Sequence, residues 1–223
     1  MAKEVFMRKP FPSPADRSAL LLIRVDELRS LLRLADPVIL ARRVGGRYEE
    51  FGPGEGRLNL SLWGRQVSLS FPELVAYDEF CRELKFAFQA LLIYHVFTSD
   101  GSPATGRFIA FSELPDGKFY AQAFQGYTGD ELRRHFGDDS VRFERAARKQ
   151  GGQSYPLGDA AFVFQFLPSL ALLVVFWAGD DDLPASYQVL FDAAASHHLP
   201  TDACAILGST LTRRLIAANS FND

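Results

Sequence analysis

Cysteine is nearly absent from this sequence. Only Cys81 and Cys204 occur among 223 residues, and they are far apart along the chain. A disulfide framework or an all-cysteine metal site needs more thiols at closer spacing. The sequence therefore excludes both kinds of site within this chain, and two buried free thiols are expected.

An excess of positive charge is also missing. Lysine and arginine total 24 against 27 acidic residues, which gives a formal net charge of −3. Neutralising a phosphate backbone requires a basic surface. Nucleic acid is therefore not an expected partner.

Targeting and membrane signals are absent as well. Residues 1–14 carry Lys3, Arg8 and Lys9 but no apolar stretch behind them, so they do not resemble a secretory signal. The uncharged run at residues 160–178 approaches the roughly 20 residues of a membrane span. Pro168 interrupts it, which indicates two buried strands joined by a tight turn. We expect a cytoplasmic protein without a membrane segment.

Large apolar side chains are plentiful, with 48% hydrophobic residues and 20 phenylalanines, which predicts a sizeable core. Capping residues and apolar periodicity predict helices at 14–35, 37–43, 80–95, 128–136, 139–149 and 201–218. Alternation and turn chemistry predict hairpins at 58–71, 107–124 and 160–178, with a further strand at 187–191 and a flexible connector at 52–56.

These elements predict one α+β domain over residues 1–223, in which residues 1–13 are irregular. Its core is a mainly antiparallel sheet of about six strands with helices packed against it. The Phe-rich composition leaves open a homo-oligomeric structural protein, and the oligomeric state is not predicted.

Familiar catalytic motifs are missing too. The sequence has no Gly-x-Ser-x-Gly elbow. The glycine-rich stretch at 52–56 precedes a predicted strand and lacks a following Lys-Ser/Thr pair, so it does not match a phosphate-binding loop.

Histidine and basic residues offer two weaker candidates. His95 extends the apolar stripe of its predicted helix, where it is either a hydrogen-bonded core residue or a ligand-binding group. His197 and His198 are adjacent and point in different directions, so surface or capping roles are expected. Arg142, Arg145 and Lys149 share one helix face, which is either an anion site or a solvated surface.

The most concentrated charge follows an apolar strand, in the stretch that begins at Trp177. Asp180 and Asp182 alternate there, so both carboxylates can face one side and bind Mg²⁺ or Ca²⁺ or act as an acid/base pair. Glu113 and Asp192 are isolated acids that could join them in a metal-assisted enzyme. The alternative is a solvated loop that protects the strand from edge pairing.

Six short segments together carry a family resemblance: 111–115 (FSELP), 158–159 (GD), 167–168 (LP), 177–180 (WAGD), 190–192 (LFD) and 199–202 (LPTD). In combination they resemble the uncharacterised bacterial and archaeal family known as domain of unknown function 3786. The resemblance runs from about Ala35 to the last helix.

The resemblance implies an accessory role near metal or corrinoid metabolism, and the absence of a nucleophile–base motif favours a non-catalytic module. Members of the family occur largely in anaerobes, and some are fused to a cysteine-rich iron–sulfur module like that of corrinoid iron–sulfur proteins. The implied partner is an iron–sulfur or corrinoid protein. With two cysteines, this chain carries no such module itself, and a divalent cation is the only cofactor suggested by its residues.

Overall fold

The computed structural model describes residues 14–219, so residues 1–13, which were predicted to be irregular, and the predicted capping residue Ser13 lie outside the described residues. The helices are α1 Pro14–Leu32, α2 Pro37–Arg43, α3 Phe86–Thr98, α4 Ala121–Tyr127, α5 Gly129–Phe136, α6 Ser140–Lys149, α7 Ala195–His198 and α8 Thr201–Asn219. The strands are β1 Arg47–Gly52, β2 Glu55–Leu62, β3 Arg65–Phe71, β4 Ala76–Asp78, β5 Phe108–Ala110, β6 Gln153–Ser154, β7 Ala160–Leu167, β8 Leu170–Trp177 and β9 Ser186–Asp192.

The predicted α+β class with antiparallel pairing is confirmed, but the strands form two sheets. The first sheet has the order β1-β2-β3-β4, and the second has the order β5-β9-β8-β7-β6. Every pairing between neighbouring strands in both sheets is antiparallel. One core cluster contains buried residues from both sheets and from the helices around them.

Local sequence signals account for several of these elements. The apolar stripe of α1 buries Val25, Leu28 and Leu32, as its spacing predicts. Asp36 accepts hydrogen bonds from the backbone N–H groups of Val38 and Ile39 and so caps α2.

The uncharged run forms the hairpin of β7 and β8. Residues 170–176 of β8 are all buried, since this strand lies at the centre of its sheet. Among the described residues, no helix is long and apolar enough to cross a membrane.

The helix predicted from residue 80 starts six residues later, at Phe86. Asp78 does not cap a helix, because its carboxylate accepts from the backbone N–H groups of Phe80 and Arg82 within a tight turn. Cys81 has a φ of 58°, which breaks helical geometry. Cys81 is also exposed, so the expectation of two buried thiols holds only for Cys204.

The hairpin predicted at 107–124 is wrong. Only β5 forms a strand there, and it pairs with β9, far along the chain. Asp116 has a φ of 57° and leads into a 3₁₀ turn at 117–119 and then into α4. The stretch at 52–56 is a tight connection between β1 and β2, in which Gly54 has a φ of 76°.

Candidate functional site

A cleft of about 390 Å³ lies between the first sheet and the ends of two helices. One side is the β2–β3 turn, and the other sides come from the end of β4, the start of α3 and the C-terminal ends of α6 and α8. The volume suits a small molecule. We call this the Trp63 cleft; its lining is Leu62, Trp63, Arg65, Gln66, Val67, Asp78, Glu79, Phe80, Leu84, Phe88, Lys149, Gln150, Arg214, Ala217 and Ala218.

The β2–β3 turn holds Trp63 in a backbone conformation that costs free energy. Leu62 pairs with Arg65, so the loop has two residues, and both Trp63 and Gly64 have positive φ values of 53° and 73°. Such turns favour Asn-Gly, and a bulky residue with positive φ is strained. Because strain of this kind concentrates at functional sites, the position of Trp63 points to a role for its side chain.

The Trp63 side chain is fixed by contacts on both sides. Its ring meets the Phe166 ring edge-on at 5.1 Å, and its backbone N–H donates to the Phe166 carbonyl at 2.9 Å. The guanidinium carbon of Arg214 lies 4.9 Å from the centre of the ring, in a cation–π contact. The turn, the second sheet and α8 therefore meet at this indole.

Two buried donors in the cleft lack a protein acceptor. Nε1 of Trp63 and Nε of Arg214 are both buried and have no hydrogen-bond partner within residues 14–219. Native proteins pair nearly all such groups with protein, water or a ligand. Both N–H groups belong to side chains that line the cleft.

Positive charge surrounds these donors. Burial, and then the nearby guanidinium of Arg65, lower the pKa of Arg214. Neither Arg65 nor Arg214 forms an ion pair with a carboxylate in the described part of the chain. Two repelling cations without a counter-ion favour binding of an anion between them.

The opposite wall supplies little free negative charge. Asp78 pairs with Arg82 at 2.8 Å and accepts from two backbone N–H groups; these bonds, led by the one from the Arg82 backbone, lower its pKa. Glu79 and Phe80 are exposed at the rim of the cleft.

Two other clefts are less suited to bind a charged ligand. One of about 440 Å³ lies on the outer face of the first sheet, near Cys81, and none of the unpaired buried side-chain atoms belongs to its lining. The other, of about 340 Å³, lies between α1, α2 and α3 and includes only Arg43 among residues with such an atom.

The acidic stretch after β8 is a loop closed by its own hydrogen bonds. Asp180 accepts from the backbone N–H groups of Asp182 at 2.9 Å and Leu183 at 2.7 Å, which lowers its pKa. Asp182 is exposed. Trp177, at the end of β8, packs partly buried on a small cluster of Ala161, Leu173 and Val175.

Asp192 and Glu113 serve local backbone roles elsewhere. The buried Asp192 carboxylate accepts from the N–H groups of Thr105, Gly106 and Ala194. Burial alone would raise its pKa, but these bonds lower it overall. Glu113 accepts from the backbone N–H of Ala110 at 2.7 Å, within a 3₁₀ turn.

The structure does not bring these carboxylates together. Asp180 lies near the start of β9 and Asp192 at its end, and six residues of strand separate the two ends by about 20 Å. Among residues 14–219, no group of three or more His, Cys, Asp or Glu is arranged to hold a metal ion. A metal-assisted site that combines Asp180, Asp182, Glu113 and Asp192 therefore lacks the required geometry.

His95 lies in the core, next to a histidine that was expected at the surface. His95 and His198 are fully buried, and their ring centres are 5.6 Å apart. Ser99 shares a 3.0 Å hydrogen bond with Nδ1 of His198, whereas Nε2 of His198 and both ring nitrogens of His95 have no partner within the described residues. His197 is exposed and pairs with Asp100 at 2.6 Å.

The basic row on α6 does not form one anion site. Arg142 lies over the Phe136 ring and Arg145 is exposed, while Lys149 lines the Trp63 cleft and donates from Nζ to the Ala218 carbonyl at 3.2 Å.

Sequence reasoning missed Trp63, Arg65 and Arg214, although two signals were present. A tryptophan directly before Gly64 in a two-residue turn is unusual. Arg214 interrupts the apolar stripe of α8, seven residues after the buried Leu207 and four before the buried Ala218.

The cleft residues fall almost wholly inside the range of a known family. The sequence model of the family described as "Domain of unknown function (DUF3786)" matches residues 36–214, which include Trp63, Arg65, Lys149 and Arg214. No curated protein and no solved structure shows a significant match to the chain.

Proposed function

The chain belongs to the DUF3786 family, and from that premise we propose that it is a non-catalytic binding module that holds an anionic ligand in the Trp63 cleft. One observation carries the proposal: two buried N–H groups, of Trp63 and Arg214, lie without acceptors beside a second guanidinium, that of Arg65. An anion supplies both the acceptor atoms and the counter-charge.

Two details favour binding over catalysis. Among the described residues, the cleft lining contains no histidine, cysteine or serine that could act as a nucleophile or as a general base near neutral pH. Its two carboxylates are Asp78, which is tied to Arg82, and Glu79, which is exposed at the rim.

Nuclear magnetic resonance of the indole N–H group tests the proposal. The protein has two tryptophans, so Trp177→Phe leaves Trp63 as the sole indole signal. Acetate, inorganic phosphate, benzoate and phenyl phosphate are titrated, with neutral benzamide for comparison. We expect at least one anion to shift the Trp63 signal in a saturable way, and benzamide to have no effect.

Two adjacent arginines provide matched variants. Arg214→Gln removes the cleft guanidinium and should weaken anion binding at least about tenfold, the scale of one charge-assisted hydrogen bond. Arg213→Gln changes an exposed arginine outside the cleft and should leave binding unchanged. The proposal fails if none of the four anions binds, or if Arg214→Gln binds them as well as the unmodified chain does.

The cellular partner is proposed on the resemblance. We propose that the module binds an iron–sulfur or corrinoid protein, as the fusion of some family members to a cysteine-rich iron–sulfur module implies. Affinity purification from the native organism under anaerobic conditions, followed by iron and cobalt analysis, tests this role. A reproducible partner that contains neither metal would contradict it.

A further inference from the structure

We infer that the ligand of the Trp63 cleft is a monocarboxylic acid with a flat apolar body, such as an aromatic acid. This inference rests on the proposed function. It specifies how much charge the cleft accepts, which acceptor group fits its donors, and what covers its apolar wall.

The groups around the cleft leave an excess of about one positive charge, which a ligand with one negative charge would neutralise. The C-terminal ends of α6 and α8 both line the cleft, and each helix C-terminus carries roughly half a negative charge. Lys149 offsets part of this charge, because its Nζ donates to the Ala218 carbonyl. The cations left for a ligand are Arg65 and Arg214, and exposed Glu79 opposes them.

A phosphate ester fits this field poorly. It carries about −1.5 to −2 charges near neutral pH, and proteins commonly bind it at helix N-termini. The cleft presents helix C-termini instead. A carboxylate brings a single charge, which the two guanidiniums can neutralise.

The unpaired donors also match a carboxylate. The buried N–H groups are Trp63 Nε1 and Arg214 Nε, which is one donor for each carboxylate oxygen. The Arg214 guanidinium lies against the indole face, so both groups belong to one packed unit.

The rest of the cleft is suited to an apolar body. Phe80, Leu84 and Phe88 line the wall contributed by the β4–α3 segment, and Phe80 is 67% exposed. A volume of about 390 Å³ exceeds the needs of a bare carboxylate. Arg82 lies over one face of the Phe80 ring, at 5.1 Å, and stacking a flat ring against the other face would remove apolar surface of both partners from water.

Affinities of the full chain for acetate, benzoate and phenyl phosphate test the inference, with the Trp63 indole signal and calorimetry as readouts. We expect benzoate to bind at least about tenfold more tightly than acetate, because burying a ring contributes more than about 1.4 kcal/mol. Benzoate should also bind more tightly than phenyl phosphate, which adds negative charge to the same ring.

Phe80→Ala separates the ring contact from the anion contact. Phe80 is exposed, so its removal should leave the fold intact, weaken benzoate binding several-fold and leave acetate binding unchanged. Phe119→Ala, which removes an 85% exposed ring outside the cleft, is the matched control and should change neither affinity.

The outcomes distinguish this inference from the proposed function. If phenyl phosphate binds as tightly as benzoate or more tightly, the charge argument is overturned while anion binding stands. If acetate matches benzoate, or Phe80→Ala has no effect on benzoate, the apolar body is overturned. If no anion binds, the proposed function itself fails.

Discussion

His95 and His198 form a buried pair with unusual electrostatic demands. Three of their four ring nitrogens have no partner within the described residues, and Nε of the nearby Arg43 is also buried without one. Burial, followed by the charge of His198, lowers the pKa of His95 to about 3, and burial also lowers the pKa of His198. Both rings are therefore neutral in the folded protein near neutral pH.

The pair makes folding stability depend on pH. The unfolded chain protonates each ring below about pH 6.5, whereas the folded chain resists protonation, so the stability is fully present above that pH. It should fall as the pH decreases from about 6.5 toward 3, by up to about 1.4 kcal/mol per pH unit for His95, and the lowered pKa of His198 adds to the loss in the same direction. Urea unfolding between about pH 7 and pH 5 measures the slope before most carboxylates titrate.

A change in slope identifies the histidines as its source. His95→Leu removes one titrating group and should reduce the slope by about one proton, whatever its effect on stability at pH 7. Leu92→Ala, a buried residue on the same helix, should lower stability at every pH without changing the slope. An unchanged slope in His95→Leu would show that the pKa of His95 is the same in the folded and the unfolded chain, which would contradict the prediction.

Asp192 is a second residue whose contribution to the free energy of unfolding can be predicted from its hydrogen bonds. Its carboxylate accepts from three backbone N–H groups and from the Thr105 hydroxyl at 2.9 Å. Asp192→Asn keeps the size but turns an NH₂ group toward these donors. We expect a loss of about 2–3 kcal/mol in urea unfolding, and a loss below about 0.5 kcal/mol would contradict the anchoring role.

Among larger elements, the β8–β9 loop offers a test of its acidic residues. Asp180 holds the loop through two backbone N–H groups, while Asp181 is exposed. Asp180→Ala should therefore lower the melting temperature, whereas Asp181→Ala should leave it nearly unchanged. Equal effects of the two variants in thermal melts would refute the closing role of Asp180.

Metal binding by Asp180 and Asp182 stays a prediction, and the same melts test it. A bound Mg²⁺ or Ca²⁺ would raise the melting temperature of the unmodified chain and not of Asp180→Asn. If neither ion raises the melting temperature of the unmodified chain, cation binding by this loop is ruled out.

Elements with strong local signals were predictable from sequence. The short helix at 37–43, the α1 stripe and the β7–β8 hairpin each depend on neighbouring residues, and each forms as expected. The segment 79–85 repeats apolar spacing typical of a helix, but positive φ at Cys81 and the bonds to Asp78 favour a turn. β5 needs β9 as its partner, which no local pattern reveals.

At the scale of the whole molecule, the cleft could not be predicted from local sequence patterns, because it depends on contacts between elements that are far apart along the chain. Trp63, Lys149 and Arg214 lie on three separate elements, and only tertiary packing places them around one space. Of the residues predicted as ligand-binding, Asp192 and His95 are buried, but neither lines this cleft. Residue types identify side chains that could bind a ligand. The position of the cleft depends instead on the packing of the C-terminal ends of α6 and α8 against the β2–β3 turn.

The shared core predicts how the two sheets unfold. Residues of both sheets belong to one core cluster, and the Trp63 backbone N–H bonds to Phe166 of the second sheet. A single core favours a cooperative, two-state transition in which both sheets are lost together. Trp63 lies in the β2–β3 turn of the first sheet and contacts Phe166 of the second, so it reports on the contact between the sheets, whereas Trp177 ends a strand of the second sheet and reports on that sheet.

Single-tryptophan variants measure this directly. In Trp177→Phe the fluorescence comes from Trp63, and in Trp63→Phe it comes from Trp177. For each variant, we expect the urea midpoint from fluorescence to coincide with the midpoint from far-ultraviolet circular dichroism of the same variant. Because each variant is its own reference, a stability change caused by the substitution does not affect the comparison. A fluorescence transition that precedes the loss of secondary structure in either variant would show that the sheets unfold as separate units, and the chain would then contain two domains.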